Sequence, residues 1–207
     1  MSYQVYRELL RETNLLLTQL ADGVLGLSPK EHRFSNFISH LRNNSLISRN
    51  LFTLCLSSNS GLITIGGVNN SLHYDNHEIG YLDYKADNLY KIQLRELIFA
   101  DFKIKTSIYG GLDTGSTNTF FPRDMFEEFF IKLKEYCSSP LVCFAEILKI
   151  NEEICFIKKK GISLEGFYSS MPIFEFKFKD FSIKWEPKSY LYDNKEDEFC
   201  LGIHKWE

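Results

Sequence analysis

The chain has 207 residues, of which 44% are hydrophobic, 15% aromatic and 25% charged. This composition is typical of a globular protein with a bias towards β-structure, and it excludes an intrinsically disordered chain. The net charge of −3 and the lack of a face-wide basic block argue against nucleic acid as a partner. The one basic run, Lys158 to Lys160, is interpreted as a solvated hairpin tip.

The sequence predicts no membrane-spanning segment, because it contains no run of about 18 consecutive apolar residues. A signal peptide typically has a charged segment followed by an apolar segment, and the first residues, Met1 to Arg7, do not show this arrangement. Asn43-Asn44-Ser45 and Asn69-Asn70-Ser71 match the acceptor pattern for N-glycosylation, although such tripeptides also arise by chance.

The N-terminal part of the chain contains one strong helix signal. The leucine spacing of residues 1–20 would permit a helix. Further on, Ser28 is a candidate N-cap, Pro29 fits the first turn and Glu31 completes a capping box. Apolar residues then recur at helical spacing and predict an amphipathic helix from residue 29 to about residue 43; they are Phe34, Phe37, Ile38 and Leu41. Asp22 lies in the preceding turn and is interpreted as structural.

From residue 50 the apolar spacing shortens to that of β-strands. Two strands around residues 58–61 predict a hairpin, and three further strands follow; the five are Leu51 to Ser57, Gly61 to Gly67, Glu78 to Leu82, Leu89 to Leu97 and Asp101 to Tyr109. His73 and His77 lie in a polar stretch and are interpreted as surface histidines, not as metal ligands. Tyr90 is interpreted as a tyrosine packed on a sheet face.

The C-terminal half begins with a second amphipathic helix, predicted from Pro122 to Tyr136. Four strands are predicted after it, and in one of them Phe174, Phe176 and Phe178 alternate with charged residues; the strands are Ile154 to Ile157, Ile173 to Phe178, Phe181 to Trp185 and Phe199 to Ile203. The acidic stretch from Asp193 to Glu198 is interpreted as a solvated loop.

The most informative motif is Asp113-Thr114-Gly115-Ser116, directly after the predicted strand that ends at Tyr109. This order puts a carboxylate at a strand end, in a turn where Gly115 permits a close approach and where two hydroxyls can form hydrogen bonds. A carboxylate held in this way can act as a general base. An ordinary Asx-type turn is the alternative interpretation of the same four residues.

Four segments, in this order, resemble the second half of the pepsin-like aspartic proteases, with a protist-like character. They are Ala21 to Leu27, Leu62 to Val68, Leu112 to Ser116 and Phe199 to Ile203. The resemblance implies a mainly β fold of antiparallel sheets with about two short helices. It also implies that residues 21–207 form the C-terminal lobe of such a protease, and that residues 1–20 are a remnant of the N-terminal lobe.

The resemblance implies hydrolysis of a peptide or protein substrate by a water held between two aspartates, without a cofactor. Asp113 would be one of these, Thr114 would cross-brace the two catalytic loops, the Gly115 N–H would bond the carboxylate, and the Ser116 hydroxyl would hold its outer oxygen. The sequence has one such loop and no segment that matches the family's flap. The resemblance also implies that the chain ends before the family's Leu-Gly step and bracing strands.

The isolated chain is therefore expected to be inactive without its N-terminal lobe. Two alternatives stay open: a non-catalytic lobe that binds peptides or proteins, and a homodimer that pairs two copies of Asp113. The resemblance also implies a secretory, vacuolar, lysosomal or extracellular location.

The five cysteines permit two disulfides and leave one residue over. Cys137 and Cys143 are close enough in sequence for a local bridge, and the resemblance implies a bridge between Cys155 and Cys200. Cys55 would then have no partner. The alternative is that all five are reduced and behave as small hydrophobic residues. No Cys-x-x-Cys spacing is present, so we expect no metal site.

Overall fold

The structure is a computed structural model that describes residues 24–29, 36–57, 59–72, 79–86, 89–139, 141–150 and 153–206. The described residues form two compact units. The first contains those up to Val68 except Pro29, and the second contains Pro29 and those from Asn69 onwards. The N-terminal remnant predicted for residues 1–20 and the histidines at positions 73 and 77 lie outside the described residues.

The first unit contains the helix α1 (Phe37–Asn43) and the strands β1 (Phe52–Leu56) and β2 (Gly61–Ile65). The two strands pair antiparallel from Phe52 opposite Ile65 to Leu56 opposite Gly61, which confirms the predicted hairpin. Its side chains are exposed or half-buried, so the hairpin contributes no fully buried residue to a core.

The helix α1 begins later than the sequence predicted. Asn36 is its N-cap, with an extended backbone and a side-chain oxygen 2.8 Å from the Ser39 N–H that donates to it. The side-chain nitrogen Nδ2 of Asn36 donates to the backbone carbonyl oxygen of Ser28, the predicted cap, at 2.6 Å. Residues 30–35 of the predicted helix lie outside the described residues, and asparagine caps a helix as well as serine does.

The second unit contains eleven strands and three α-helices among its described residues. In chain order they are β3 (Lys85–Ala86), β4 (Tyr90–Phe99), β5 (Phe102–Leu112), β6 (Thr119–Phe121), α2 (Arg123–Tyr136), β7 (Ala145–Ile150), β8 (Glu153–Lys158), α3 (Leu164–Ser170), β9 (Phe174–Lys177), β10 (Ser182–Trp185), α4 (Pro187–Tyr190), β11 (Leu191–Lys195), β12 (Glu198–Leu201) and β13 (Ile203–Lys205).

These strands form three sheets. In the largest, the order is β10-β9-β4-β3, and β5 pairs with the other edge of β4. A second sheet has the order β11-β12-β8-β7. Both are antiparallel, whereas β6 and β13 form a small parallel pair. The fold is therefore mainly β with antiparallel sheets, as predicted.

The core of the second unit is built largely from phenylalanine rings between the sheets and α2. Phe99, Phe129 and Phe174 are essentially inaccessible to solvent, and their ring centroids lie 5.4–5.5 Å apart with edge-on geometry. The buried face of α2 consists of Met125, Phe126, Phe129 and Leu133. The helix predicted from the spacing of its apolar residues thus packs by the face that the spacing defined.

Two disulfides are present, Cys137–Cys143 and Cys155–Cys200, in agreement with the bridges expected from the sequence. The first closes the turn between α2 and β7. The second joins residues that lie directly opposite each other on β8 and β12, with Cα atoms 4.0 Å apart. Cys55 is free and exposed on β1.

Several local predictions were wrong. Residues 79–82 belong to no strand, although a strand was predicted from Glu78 to Leu82. The predicted acidic loop contains the tip of the hairpin of β11 and β12: residues 193–197 are exposed, as predicted, but Glu198 is buried. The helices α3 and α4 were not predicted. Within the described residues, no helix is long and apolar enough to cross a membrane.

The lysine run is also not a solvated hairpin tip. Lys158 ends β8, and only 11% of its side chain is exposed. Its ammonium group lies 3.0 Å from an Asp197 carboxylate oxygen and donates to the Ile162 carbonyl oxygen at 2.8 Å. Lys159 donates in turn to the carbonyl oxygen of Cys143 at 3.1 Å. Charge alone did not reveal these partners, because Asp197 lies in the turn before β12 and Cys143 lies before β7.

Candidate functional site

Asp113 lies immediately after β5, one of the two longest paired strands of the large sheet. The last residue of β5, Leu112, is opposite Tyr90 at the start of β4, so an antiparallel ladder, regular from Tyr90 to Leu94, positions the loop. The chain then turns at Thr114 and Gly115, and the Ser116 N–H donates to the Asp113 carbonyl oxygen at 3.2 Å. The ladder and the turn together fix where the carboxylate can lie.

The carboxylate of Asp113 is bonded by the backbone of its own loop. The Gly115 N–H donates to Oδ1 at 2.9 Å, which is the bond that the sequence interpretation expected. A Cβ atom at position 115 would lie 3.2 Å from the same oxygen, closer than is usual, so glycine also provides the necessary space. The orientation of the carboxylate therefore depends on Gly115.

The Ser116 hydroxyl has a different partner from the expected one. It donates to the carbonyl oxygen of Asn118 at 2.7 Å, which tightens the turn but does not hold the outer oxygen of Asp113. The cross-bracing role of Thr114 requires a second loop and stays a prediction.

A strand from the C-terminal end supports the segment that follows the loop. The Thr119 N–H donates to the Gly202 carbonyl oxygen at 2.9 Å, and β13 runs parallel to β6 from there. The Gly202 N–H donates to the Tyr190 carbonyl oxygen at 2.8 Å, and the Trp206 N–H donates to that of Phe121 at 2.8 Å. The expectation that the chain ends before a Leu-Gly step and a bracing strand was therefore wrong: Leu201-Gly202 is such a step, and β13 follows it.

The loop itself faces solvent. Residues 113–117 are all exposed, and so is Leu112, at 60% of its surface. Beside Leu112, the half-buried Tyr90 lies against Tyr84, with ring centroids 5.3 Å apart. Burial, and to a smaller extent the neighbouring Tyr84, raises the pKa of the Tyr90 hydroxyl. A solvent-exposed carboxylate with adjacent apolar and aromatic side chains is accessible to a peptide. One carboxylate, however, supplies only half of an acid–base pair.

Other candidate residues lie away from this loop. Asn43 is exposed at the last position of α1, and Asn69 is half-buried with its side-chain oxygen bonded to Ser71. In the described part of the chain, one group has ligand atoms close enough together for a metal ion: Glu153, Cys155 and Cys200. Its two sulfur atoms form a disulfide, so they offer no thiolate to a metal.

A cavity of about 290 Å³ opens between the end of α2 and β7, where Cys137, Glu146 and Lys159 contribute to its lining. None of its lining residues comes from the loop around Asp113. The cavity is therefore not an extension of the candidate site.

Comparisons with known proteins agree on one family. The model of the family described as eukaryotic aspartyl protease matches residues 4–205, almost the whole chain. Secreted aspartic protease 8 of Candida albicans is 23% identical over 189 residues, covering 86% of this chain and 45% of that protein. Candidapepsin-3 of the same species is 33% identical over 110 residues, covering 50% and 27%.

A protist relative matches a shorter stretch. Aspartic protease 5 of Toxoplasma gondii is 38% identical over 64 residues, which cover 30% of this chain and 7% of that protein. The chain thus spans less than half the length of each of these relatives.

Proposed function

Because the chain belongs to the eukaryotic aspartyl protease family, we propose that it takes part in peptide-bond hydrolysis and that Asp113 is one of the two catalytic aspartates. The observation that carries this proposal is the position of Asp113: it follows the long strand β5, and the Gly115 N–H holds its carboxylate. The loop is open to solvent, so a peptide and a water molecule can both reach the carboxylate.

The chemistry follows from two carboxyl groups that share one proton. Like charges about 3 Å apart cannot both be ionised, so one group stays protonated. The ionised group removes a proton from water, while the protonated group donates a hydrogen bond to the scissile carbonyl oxygen. In this chain the Gly115 N–H orients the carboxylate of Asp113, and the Thr119–Gly202 bond anchors the strand that leaves the loop.

The second aspartate is proposed to come from a first lobe. The 207 residues contain one Asp-Thr-Gly sequence, and the 189 residues matched to secreted aspartic protease 8 of Candida albicans cover 45% of that protein. In this proposal residues 21–207 form the second lobe, and residues 1–20 belong with the first. Without a partner carboxylate the isolated chain has no acid–base pair and is expected to be inactive.

A secretory or vacuolar route is proposed for the same protein. Two matched relatives are named as secreted aspartic proteases. The disulfides Cys137–Cys143 and Cys155–Cys200 also favour an oxidising compartment, because such bridges are rare in the cytosol.

Peptide hydrolysis at acidic pH tests the proposal. The 207-residue chain is compared with a complete protease in which it is joined to a first lobe that carries its own Asp-Thr-Gly loop. In the complete protease we expect Asp113→Asn to lower kcat by at least about 10²–10⁴-fold, because an acid–base group is lost. Asp101→Asn, in the exposed turn between β4 and β5, is the matched control and should retain full activity.

Two results would contradict this assignment. Activity of the complete protease that survives Asp113→Asn would exclude the catalytic role of Asp113. Hydrolysis by the 207-residue chain alone, abolished by Asp113→Asn, would exclude the need for a first lobe.

The single Asp-Thr-Gly sequence also supports a second candidate function, a lobe that binds peptides without cleaving them. Leu112 and the Tyr84–Tyr90 pair would then provide an apolar contact surface beside the loop. Calorimetric binding of a peptide, with no turnover even after a first lobe is supplied, would favour this function over hydrolysis.

A further inference from the structure

We propose that Asn43 and Asn69 carry N-linked glycans, one on each compact unit. This inference rests on the secretory route proposed above and on nothing in the catalytic proposal. Both asparagines begin the tripeptide Asn-Asn-Ser, which satisfies the acceptor pattern. The structure adds what the sequence lacked: the surroundings of each amide group in the folded chain.

At Asn43 the acceptor tripeptide is entirely exposed. Asn43 ends α1, and the chain leaves the helix through Ser45, whose φ of 57° lies in the left-handed region. The backbone N–H of Ser45 donates to the Arg42 carbonyl oxygen at 3.0 Å, so this exit from the helix is closed by backbone bonds. A glycan on the Asn43 side chain would project into solvent without displacing these bonds.

At Asn69 the side chain is half-buried, and its oxygen forms the contacts with Ser71. Oδ1 accepts the Ser71 N–H at 3.1 Å and the Ser71 hydroxyl at 2.7 Å. Attachment of a glycan occurs through Nδ2, so both bonds to Oδ1 can remain. The turn is therefore compatible with the modification.

Glycosylation of the asparagine requires one co-reactant, an oligosaccharide linked to a lipid pyrophosphate, which donates the sugar. A bond forms between Nδ2 and the anomeric carbon of the sugar, and the bond from that carbon to the pyrophosphate oxygen breaks. The amide nitrogen loses one proton, and the lipid pyrophosphate is the leaving group. No oxidant or reductant is required.

Each glycan would lie close in sequence to an exposed apolar side chain. Leu46 is 69% exposed three residues after Asn43, and Leu72 is 39% exposed three residues after Asn69. Exposed apolar surface favours association between molecules. We therefore expect the glycosylated chain to remain monomeric at concentrations where the unglycosylated chain associates.

The test expresses the 207-residue chain behind a cleavable secretory leader in a eukaryotic cell. Peptide N-glycosidase leaves an aspartate at each formerly occupied asparagine, and peptide mass spectrometry locates it. We expect two occupied positions in the unaltered chain, one after Ser45→Gly or Ser71→Ala, and none in the double variant. Ser45→Gly suits the left-handed backbone at that position, so loss of the glycan is separated from misfolding.

Two matched controls accompany these variants. Ser71→Thr keeps the acceptor pattern and should keep its glycan, whereas Asn59→Gln alters an exposed asparagine outside any acceptor pattern and should change nothing. Chain that stays inside the cell is analysed in the same way from the microsomal fraction. Unmodified Asn43 or Asn69 in that fraction or in the medium would overturn the assignment, whatever the result of the peptidase assay.

Discussion

Asp113 and Ser116 lie in the same loop, but they contribute differently to its stability. Asp113→Asn keeps a side-chain oxygen that can accept the Gly115 N–H, and the position is exposed, so we expect a stability change within about 0.5 kcal/mol. Ser116→Ala removes the bond to the Asn118 carbonyl oxygen and should cost about 0.5–1.5 kcal/mol. Urea unfolding of both variants would measure these changes.

The order of the two effects is the informative result. If Asp113→Asn destabilised the chain more than Ser116→Ala, the aspartate would have a structural role that its exposed position does not explain. A small change would instead fit a residue that is needed for chemistry and not for folding.

Tyr190 gives a prediction about alkaline pH. It is buried, its ring stacks on Phe174 with centroids 4.2 Å apart, and its hydroxyl donates to the Pro172 carbonyl oxygen at 2.6 Å. Burial above all, with smaller contributions from Tyr136 and Glu186, raises the pKa of Tyr190 well above its ordinary value. The folded chain therefore keeps this proton at pH values where the unfolded chain releases it.

The sign of the pH dependence follows from this difference in proton binding. The stabilisation is fully present below a pH of about 10, the ordinary pKa of tyrosine, and is lost at about 1.4 kcal/mol per pH unit above it. Tyr190→Phe should remove the part of the alkaline slope that Tyr190 contributes, while tyrosines such as Tyr90, whose pKa is also raised, keep theirs. It should also cost about 1–3 kcal/mol at neutral pH, because the Pro172 carbonyl loses its partner. The free energy of unfolding, measured by denaturation at neutral pH and from about pH 8 to about pH 11, would test both effects.

The control for Tyr190 is Tyr81, whose side chain is 85% exposed. Tyr81→Phe should leave the alkaline slope of the unaltered chain in place. An equal reduction of the slope by both variants would contradict the assignment to Tyr190.

At the scale of elements, Gly66 at the end of β2 should be much less tolerant of substitution than its neighbour Gly67. Gly66 has a φ of 78°, and a Cβ atom there would lie 2.8 Å from the Ile47 Cβ atom. At Gly67 an added Cβ would meet no atom within 4 Å. Gly66→Ala should therefore cost at least about 1–2 kcal/mol from the left-handed backbone alone.

Native-state hydrogen exchange would measure this difference. We expect Gly66→Ala to accelerate exchange of the β1 and β2 amides by about 5–30-fold, the factor that corresponds to about 1–2 kcal/mol. Gly67→Ala is the matched variant and should leave these rates nearly unchanged. Equal rates in the two variants would show that the steric and backbone arguments do not apply to this hairpin.

Elements with their own periodic pattern could be predicted from the sequence, and elements defined by distant partners could not. The spacing of Phe126, Phe129 and Leu133 predicted α2, and alternation predicted β9. In contrast, α3 is short and contains Gly166, so its local pattern is weak. The strand β13 has three residues and depends on a parallel partner about 80 residues earlier in the chain.

The same distinction applies to the candidate site. The position of Asp113 and its bond from Gly115 are local, and the motif predicted both. The support from Gly202 and the ion pair between Lys158 and Asp197 come from distant parts of the chain. The partner of Ser116, Asn118, is only two residues away, and the motif nevertheless did not predict it. The apolar run from Phe199 to Ile203 predicts one strand, whereas the structure divides it at Gly202 into β12 and the start of β13.

At the scale of the whole molecule, burial is unequal between the two units. The second contains a connected core that includes Leu97, Phe129, Phe156, Phe174 and Leu201, all essentially inaccessible to solvent. Among the described residues of the first unit, Ile38 is the one buried hydrophobic side chain. An isolated two-stranded hairpin is marginally stable in water, so the first unit has little independent means of resisting opening.

Hydrogen exchange should therefore separate the two units under native conditions. Amides of β4, β8 and β12, which lie within sheets that cover the core, should exchange only through global unfolding. Amides of β1 and β2 should exchange through local opening at lower free energy, with rates that hardly change in dilute denaturant. Slow, denaturant-sensitive exchange of β1 and β2, equal to that of β8, would contradict this prediction. It would mean that the hairpin opens only when the whole chain unfolds, and that its own strand pairing does not set its stability.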